Sequence, residues 1–302
     1  MKIRLLGIDT AEGALLPGMN RSPLGGASRA WIEAGLVGDL EDVGAEVDSV
    51  VFPALAADRV SDDKVVNLGE LNARVADAVA GALRDGALPL QAGGTCNQLI
   101  GILSGLQAHY GATARIGLLW LDAHGDFNTP RTSHSQMLGG MPVATAAGLC
   151  WPEWRERAGL TAPQPTDRIV MVDVRNLDPD EETLIRATDV EITRFGPEFD
   201  PAPVIDAVKR LAARVDHLYL HIDSDILDAS LQPNHTTAEP DGPGLVPVLQ
   251  VIDAAADTGK VRAFAVVSVN PEGSDGAISL ASGRAMILEG VAALIDSVPA
   301  AV

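Results

Sequence analysis

Seven short apolar runs, at residues 3–8, 47–51, 88–91, 116–121, 169–172, 218–222 and 264–269, punctuate this 302-residue chain. Most are rich in Val, Ile and Leu and bounded by turn residues, as strands buried on both faces of a parallel sheet are. Between them, Leu68, Leu71, Val75, Val79 and Leu83 recur at helical spacing. Val204, Ile205, Val208, Leu211 and Val215 do the same, and further amphipathic stretches cover residues 245–256 and 285–298. Strands alternating with helices predict an α/β fold: one domain over residues 1–302, three αβα layers around a mostly parallel central sheet. Ligands of such sheets bind beyond the carboxyl ends of the strands, so chemistry is sought in the residues that follow each run.

The chain is 47% hydrophobic and 21% charged, the composition of a folded domain and not of a disordered one. Two prolines within residues 161–166 are too few to separate domains, and no repeat or low-complexity tract interrupts the pattern. The Gly- and Pro-rich segments 10–26 and 231–244 are long loops of the kind that carry function. A net charge of −19 leaves no basic face for nucleic acid or for an acidic membrane surface, and it favours a cationic substrate. The amino terminus lacks a long apolar stretch, and no apolar run approaches the roughly 20 residues that cross a bilayer, so a cytoplasmic protein is expected. Cys96 and Cys150 are too few for a disulfide framework and read as free thiols.

Two acidic clusters follow buried strands. After 116–121 comes Asp122-Ala123-His124-Gly125-Asp126, and after 218–222 comes Asp223-Ser224-Asp225, with Asp228 beyond. In extended backbone alternate side chains share a face, so each cluster is expected to converge on a point. A lone Asp-x-His is commonly a turn with a surface histidine. Two such clusters at neighbouring strand ends are different, because gathered carboxylates repel unless cations sit between them. Carboxylates with an imidazole suit hard or borderline divalent ions, Mn²⁺ above all, and an ion pair of that kind activates water near neutral pH.

The segment from Asp122 through Asn128 to Pro130 resembles the central signature of the ureohydrolases (arginase, agmatinase, formimidoylglutamase, guanidinobutyrase), and Asp223 to Asp228 resembles their second signature. Gly25-Gly26, Gly93-Gly94-Thr95, Gly140-Met141-Pro142 and Val269-Asn270-Pro271 fall in the family's order. The resemblance implies an arginase-like fold and two Mn²⁺ ions bridged by Asp122 and Asp223. His124 and Asp225 would complete one ion, Asp126 and Cys96 the other. Asp126 would also orient the nucleophile and accept its proton. Asn128 and Ser135 match positions that hold a substrate α-carboxylate, and Asp178 one that holds an α-amino group; Asp178 also suits a cap on a helix starting at Pro179. Family members form trimers or hexamers, which implies a homo-oligomer.

The sequence departs from the family at three positions. Cys96 stands where members have histidine; a soft thiolate is a poor match for Mn²⁺, and a neutral thiol would leave that site weak or empty. A similar cysteine occurs in the hydroxyarginine amidinohydrolase branch, as do the runs His124–Pro130 and Leu138-Gly139-Gly140-Met141. Gly139 replaces a proton-shuttling histidine, a role open to His134 or His235 if either loop moves; otherwise both are surface residues. Ser268 replaces the glutamate that pairs with a guanidinium, a partner whose loss commonly costs about 3–5 kcal/mol. Glu272 is expected to point elsewhere, and Glu239 to face either substrate or solvent. The resemblance thus implies hydrolysis of a linear amidine carbon–nitrogen bond, in hydroxyarginine first, then arginine or agmatine. The competing expectation is a binding protein on the same fold with little catalysis.

Overall fold

The computed structural model describes residues 1–14 and 22–297. The strands are β1 (Lys2–Gly7), β2 (Glu46–Val51), β3 (Leu88–Ala92), β4 (Ile116–Leu121), β5 (Ile169–Val172), β6 (Glu191–Thr193), β7 (His217–Asp223) and β8 (Val261–Val267). They form one sheet in the order β2-β1-β3-β8-β7-β4-β5-β6, and every pairing is parallel. The seven expected strands are present within a few residues. β6 was not expected: it is a three-residue, half-buried edge strand with no apolar run to announce it. The run read as 264–269 begins at Val261 and ends at Val267, which puts Ser268 in the loop beyond the strand.

Ten helices are described: α1 (Ala27–Glu33), α2 (Leu36–Asp42), α3 (Lys64–Arg84), α4 (Leu99–Tyr110), α5 (Pro142–Ala146), α6 (Pro152–Ala158), α7 (Pro179–Arg186), α8 (Ala202–Arg214), α9 (Leu245–Ala256) and α10 (Gly276–Asp296). One apolar layer joins one face of the sheet to α1, α2, α8, α9 and α10, through Trp31, Leu40, Val208, Ile252 and Ile287 among others. The other joins the opposite face to α3 through α6, through Val75, Leu103, Val143 and Trp154. These are the three expected layers.

Local chemistry explains the elements. Asp63 caps α3 by accepting from the N–H of Val65 at 2.8 Å, and Leu68, Leu71, Val75 and Val79 then fall on the buried stripe. Against that stripe α4 presents Gly101 and Gly105, where a Cβ would come within 2.7 Å of Val75 and 2.5 Å of Val79. α10 is long and apolar enough to cross a membrane by length and composition, contrary to the expectation that no such run exists. Its Met286, Ile287, Val291 and Leu294 lie in the core, which accounts for that apolarity without a membrane. The expected helix 285–298 is the latter part of α10, and Val298 lies outside the described residues.

Candidate metal centre

Four adjacent strands, β3, β8, β7 and β4, deliver the site from their carboxyl ends, where open α/β sheets hold ligands. β3 leads into Gly93 and Gly94, whose φ values of +84° and +78° belong to the left-handed region that glycine adopts without strain. A Cβ at Gly94 would also stand 2.7 Å from Ile8. This turn brings Cys96 into the cavity at the start of a short 3-10 turn. β4 delivers Asp122 and His124; β7 delivers Asp223 and the 3-10 turn holding Asp225; the residue after β8 is Ser268.

These side chains line a cavity of about 430 Å³, together with Asp126, Asn128, Ser135, Asp178, Glu181, His235, Thr237 and Glu239. Among the described residues, ligand atoms gather within 4.8 Å of one another in three groups: Cys96, Asp122 and Asp223; Asp122, His124 and Asp225; Asp223, Asp225 and His235. Cys96 Sγ lies 2.9 Å from Asp223 Oδ2 and 3.7 Å from Asp122 Oδ2. His124 Nδ1 lies 3.1 Å from Asp225 Oδ2 and 3.4 Å from Asp122 Oδ1.

Alternation explains only part of the convergence. His124 continues an extended backbone, bridging in parallel to Asn176. Asp126 does not: at φ 47° it leaves the extended region, and it belongs to none of the three ligand groups, although it is buried on the cavity wall. Asp225 reaches the others through a turn in which its N–H donates to Asp223 Oδ1 at 3.1 Å. Asp228 is turned away, accepting from the Ser230 hydroxyl at 2.6 Å.

The electrostatics favour a cation. Burial, with Asp225 and Asp223 beside it, pushes the Asp122 carboxyl well above the carboxylate range. Burial raises Asp126 well above it, and burial with Asp225 raises Asp223. Burial also works to raise Asp225, but the facing His124 imidazole, by its charge and its hydrogen bond, outweighs it and holds that carboxyl low. The Cys96 thiol is driven well up, first by burial and then by Asp223, Asp126 and Asp122. Four buried carboxyls, an imidazole and a sulfur around one space are a donor set that divalent ions fit and that is strained without them.

The remaining expected residues divide. Asn128 Nδ2 donates to Asp178 Oδ2 at 3.1 Å, so the two substrate-binding candidates touch. Asp178 also takes the expected cap position: the Glu181 side chain reaches back to its N–H in a capping box at the start of α7. Ser268 is buried, and its hydroxyl lies 4.0 Å from Cys96 Sγ. His134 is exposed and is not among the cavity-lining residues, although Ser133 and Ser135 on either side are. His235, in contrast, is buried, so a surface role for it is corrected. The Thr237 backbone N–H can only donate, and it does so to His235 Nδ1 at 3.2 Å. The neutral ring therefore carries its proton on Nε2, a buried atom with no hydrogen-bond partner that faces Asp223 Oδ1 at 3.6 Å. Glu239 faces the cavity: Oε1 accepts from Asn176 Nδ2 at 2.6 Å and lies 3.4 Å from His124 Nε2. Glu272 is exposed and lies outside the cavity lining.

Three residues escaped the sequence reading. Glu181 accepts from the N–H of Phe127 at 2.8 Å, and burial lifts its carboxyl to about 7. His221 packs beneath Cys96, 3.3 Å from its sulfur; a histidine two residues before Asp223 on the same strand was the available signal. Arg175 donates to the carbonyls of Asp225, Ile226, Leu227, Glu239 and Pro240 at 3.0–3.2 Å, tying the Asp225 turn to the Glu239 loop.

A parallel three-layer fold with metal-ligand groups gathered at the carboxyl edge of its sheet is the architecture of a class of metal-dependent hydrolases. Sequence relatives place the chain within that class. The profile of the arginase family matches residues 28–291, and the chain belongs to this family. It is 30% identical to the arginase of Bacillus caldovelox over 242 residues, covering 76% of this chain and 78% of that protein. With the arginase of Glaciozyma antarctica it shares 27% over 285 residues, 88% of this chain and 80% of that one. The B. caldovelox arginase structure superposes with a TM-score of 0.82 at 26% identity, covering 96% of this chain and 98% of that one. The formimidoylglutamase of Bacillus subtilis, at 15% identity and a TM-score of 0.71 over 97% of this chain and 87% of that one, shares the fold.

Proposed function

We propose that this chain hydrolyses a carbon–nitrogen bond of a linear guanidine or amidine, with two divalent ions, Mn²⁺ by family habit, held by Asp122, His124, Asp223, Asp225 and Cys96. The observation that carries the reading is the buried convergence of these donors on one cavity. Bound there, the ions supply Lewis-acid activation of water and of the amidine carbon.

The chain's own groups do the rest. Asp126 stands on the wall, where a carboxylate takes the proton of an attacking water. His235, with its proton on an unpartnered Nε2 aimed inward, donates a hydrogen bond to the leaving nitrogen, and the proton which that nitrogen takes up is the one Asp126 receives from water; expectation had offered the shuttle to His134 or His235. Asn128, Ser135 and Asp178 receive the α-carboxylate and α-amino ends of an amino-acid substrate. Ser268 brings a hydroxyl and no charge to the reacting end, which disfavours a strongly basic guanidinium. Hydroxyarginine, whose N-hydroxyguanidine is less basic, therefore precedes arginine and agmatine. The same reading carries a cytoplasmic location and a homo-oligomer, trimer or hexamer, which sizing of the purified protein tests.

A second reading, ligand binding with little catalysis, is favoured by one observation: Cys96 as a buried thiol donating to Asp223, a state that leaves one ion unheld. Elemental analysis after Mn²⁺ loading separates the two. The hydrolase reading expects close to two ions per chain and release of urea or hydroxyurea from a guanidine panel. One ion or none, with no product, overturns it.

A further inference from the structure

Beneath the metal centre lies a buried chain of hydrogen bonds that the proposed hydrolysis does not use. Tyr219, His221 and Asp223 are alternate residues of β7 and share one face, while Leu218, Leu220 and Ile222 face the opposite layer. Tyr219 Oη lies 2.7 Å from His221 Nδ1, and His221 Nε2 lies 3.3 Å from Cys96 Sγ. Both side chains are fully buried.

Each neighbour of the imidazole makes room for it or holds it. Trp120 is its register partner on β4 and stacks on it, with centroids 4.0 Å apart and planes 3° from parallel. On the other side the register partners of Tyr219 and His221 are Ala263 and Ala265 of β8, small enough to leave the rings their space. Trp120 Nε1 donates to the His124 carbonyl at 3.3 Å, so the residue that clamps His221 also braces the second ligand loop.

The direction of the hydrogen bonds follows from counting protons. The thiol has one hydrogen, and the 2.9 Å approach to Asp223 Oδ2 takes it. The sulfur can then only accept from His221, so Nε2 carries the imidazole proton and Nδ1 accepts from the Tyr219 hydroxyl. A sulfur bound to a metal still accepts that hydrogen bond. Ring, rotamer and tautomer are therefore the same whether or not an ion is present, as a support that orients a metal ligand requires.

We infer that His221 is a positioning residue: held by Tyr219 and Trp120, it donates Nε2–H to Cys96 and fixes the sulfur as a metal ligand in place of the family's histidine. The inference rests on the proposed metal binding and goes beyond it by assigning the group that makes a cysteine serviceable there.

Co²⁺, which reports sulfur ligation through a sulfur-to-metal charge-transfer band, is the probe. Titrated with Co²⁺, the full-length protein is expected to show that band. His221→Phe keeps a ring on Trp120 but removes the N–H. Its expected effects are a loss of about 10- to 100-fold in affinity for the sulfur-bound ion and a shift of the band to lower energy. His221→Gln, which restores a donor, is expected to recover most of both. An unchanged band and affinity in the Phe variant, a Gln variant as weak as Phe, or no sulfur band in wild-type protein loaded with two ions would each overturn the proposal. If the Phe variant does not fold, Tyr219→Phe reads the same chain: a smaller shift in the same direction supports the inference, and an unshifted band rejects it. The band needs no turnover. A silent guanidine panel with the band intact thus rejects the hydrolysis reading and leaves this one standing.

Discussion

Asp122 belongs to two of the three ligand groups and Cys96 to one, so their substitutions differ in a way that heat measures directly. An ion present at about 100 times its dissociation constant adds about 2.7 kcal/mol to the folded state. Unfolding entropy is about 2.1 cal/mol/K per residue, which over 302 residues gives about 0.6 kcal/mol/K. One ion therefore raises Tm by about 4 °C and two by about 9 °C. In calorimetry with and without Mn²⁺, wild type is expected to show the larger shift and Cys96→Ser about half of it. Asp122→Asn is expected to show almost none. The metal-free proteins order the other way. Asn at 122 removes a charge that burial, Asp225 and Asp223 all oppose, so near neutral pH the apo variant melts above apo wild type. An Asp122→Asn protein that keeps half or more of the wild-type metal shift, or whose apo form melts lower, would refute the assignment of Asp122 as the shared carboxylate.

His235→Asn is expected to retain the Mn²⁺-induced Tm shift while kcat falls about 10²- to 10³-fold, the usual worth of one donor to the reacting group; a lost shift would make His235 a ligand instead. Glu181, whose carboxyl stands at about 7 against an ordinary 4.5, binds more protons folded than unfolded between those values. The apo protein should therefore lose up to about 3 kcal/mol of stability as pH rises from about 4.5 to 7, and Glu181→Gln should flatten that slope in pH-dependent urea melts. The double substitution Cys96→His with Ser268→Glu restores both family residues. It is expected to raise kcat/KM on arginine by on the order of 100- to 1000-fold, the worth of a buried charge partner. An unchanged value means that the cavity excludes arginine for another reason.

The sheet was legible because most strands are short apolar runs, and β6 was not because Glu191-Ile192-Thr193 carries a single large apolar side chain; β2, half-buried at the other edge, was found on Val47, Val50 and Val51. α4 escaped for the opposite reason: with Leu99 through Gln107 all buried, it has no polar face to set a helical period. In the site, Asp122, His124, Asp223 and Asp225 were found by the acid clusters at strand ends. The expected alternation held for Asp122 and His124 and failed at Asp126, where a left-handed residue takes the backbone out of register. His134 and His235 were equivalent in sequence, since nothing local to either says which loop folds inward. The loop carrying His235 is drawn in by contacts with residues far away in the chain, Arg175 above all.

That arginine has a consequence for ion loading. One guanidinium holds carbonyls from two loops, and a Cβ at Gly242 would come within 2.5 Å of it. The ordering entropy of these loops is thus spent during folding, and little is left to spend on capture. These two loops should therefore add no slow phase to loading, which on their side is paced by exchange of water from the incoming ion. Among the described residues, the side of the centre that Arg175 holds is a socket.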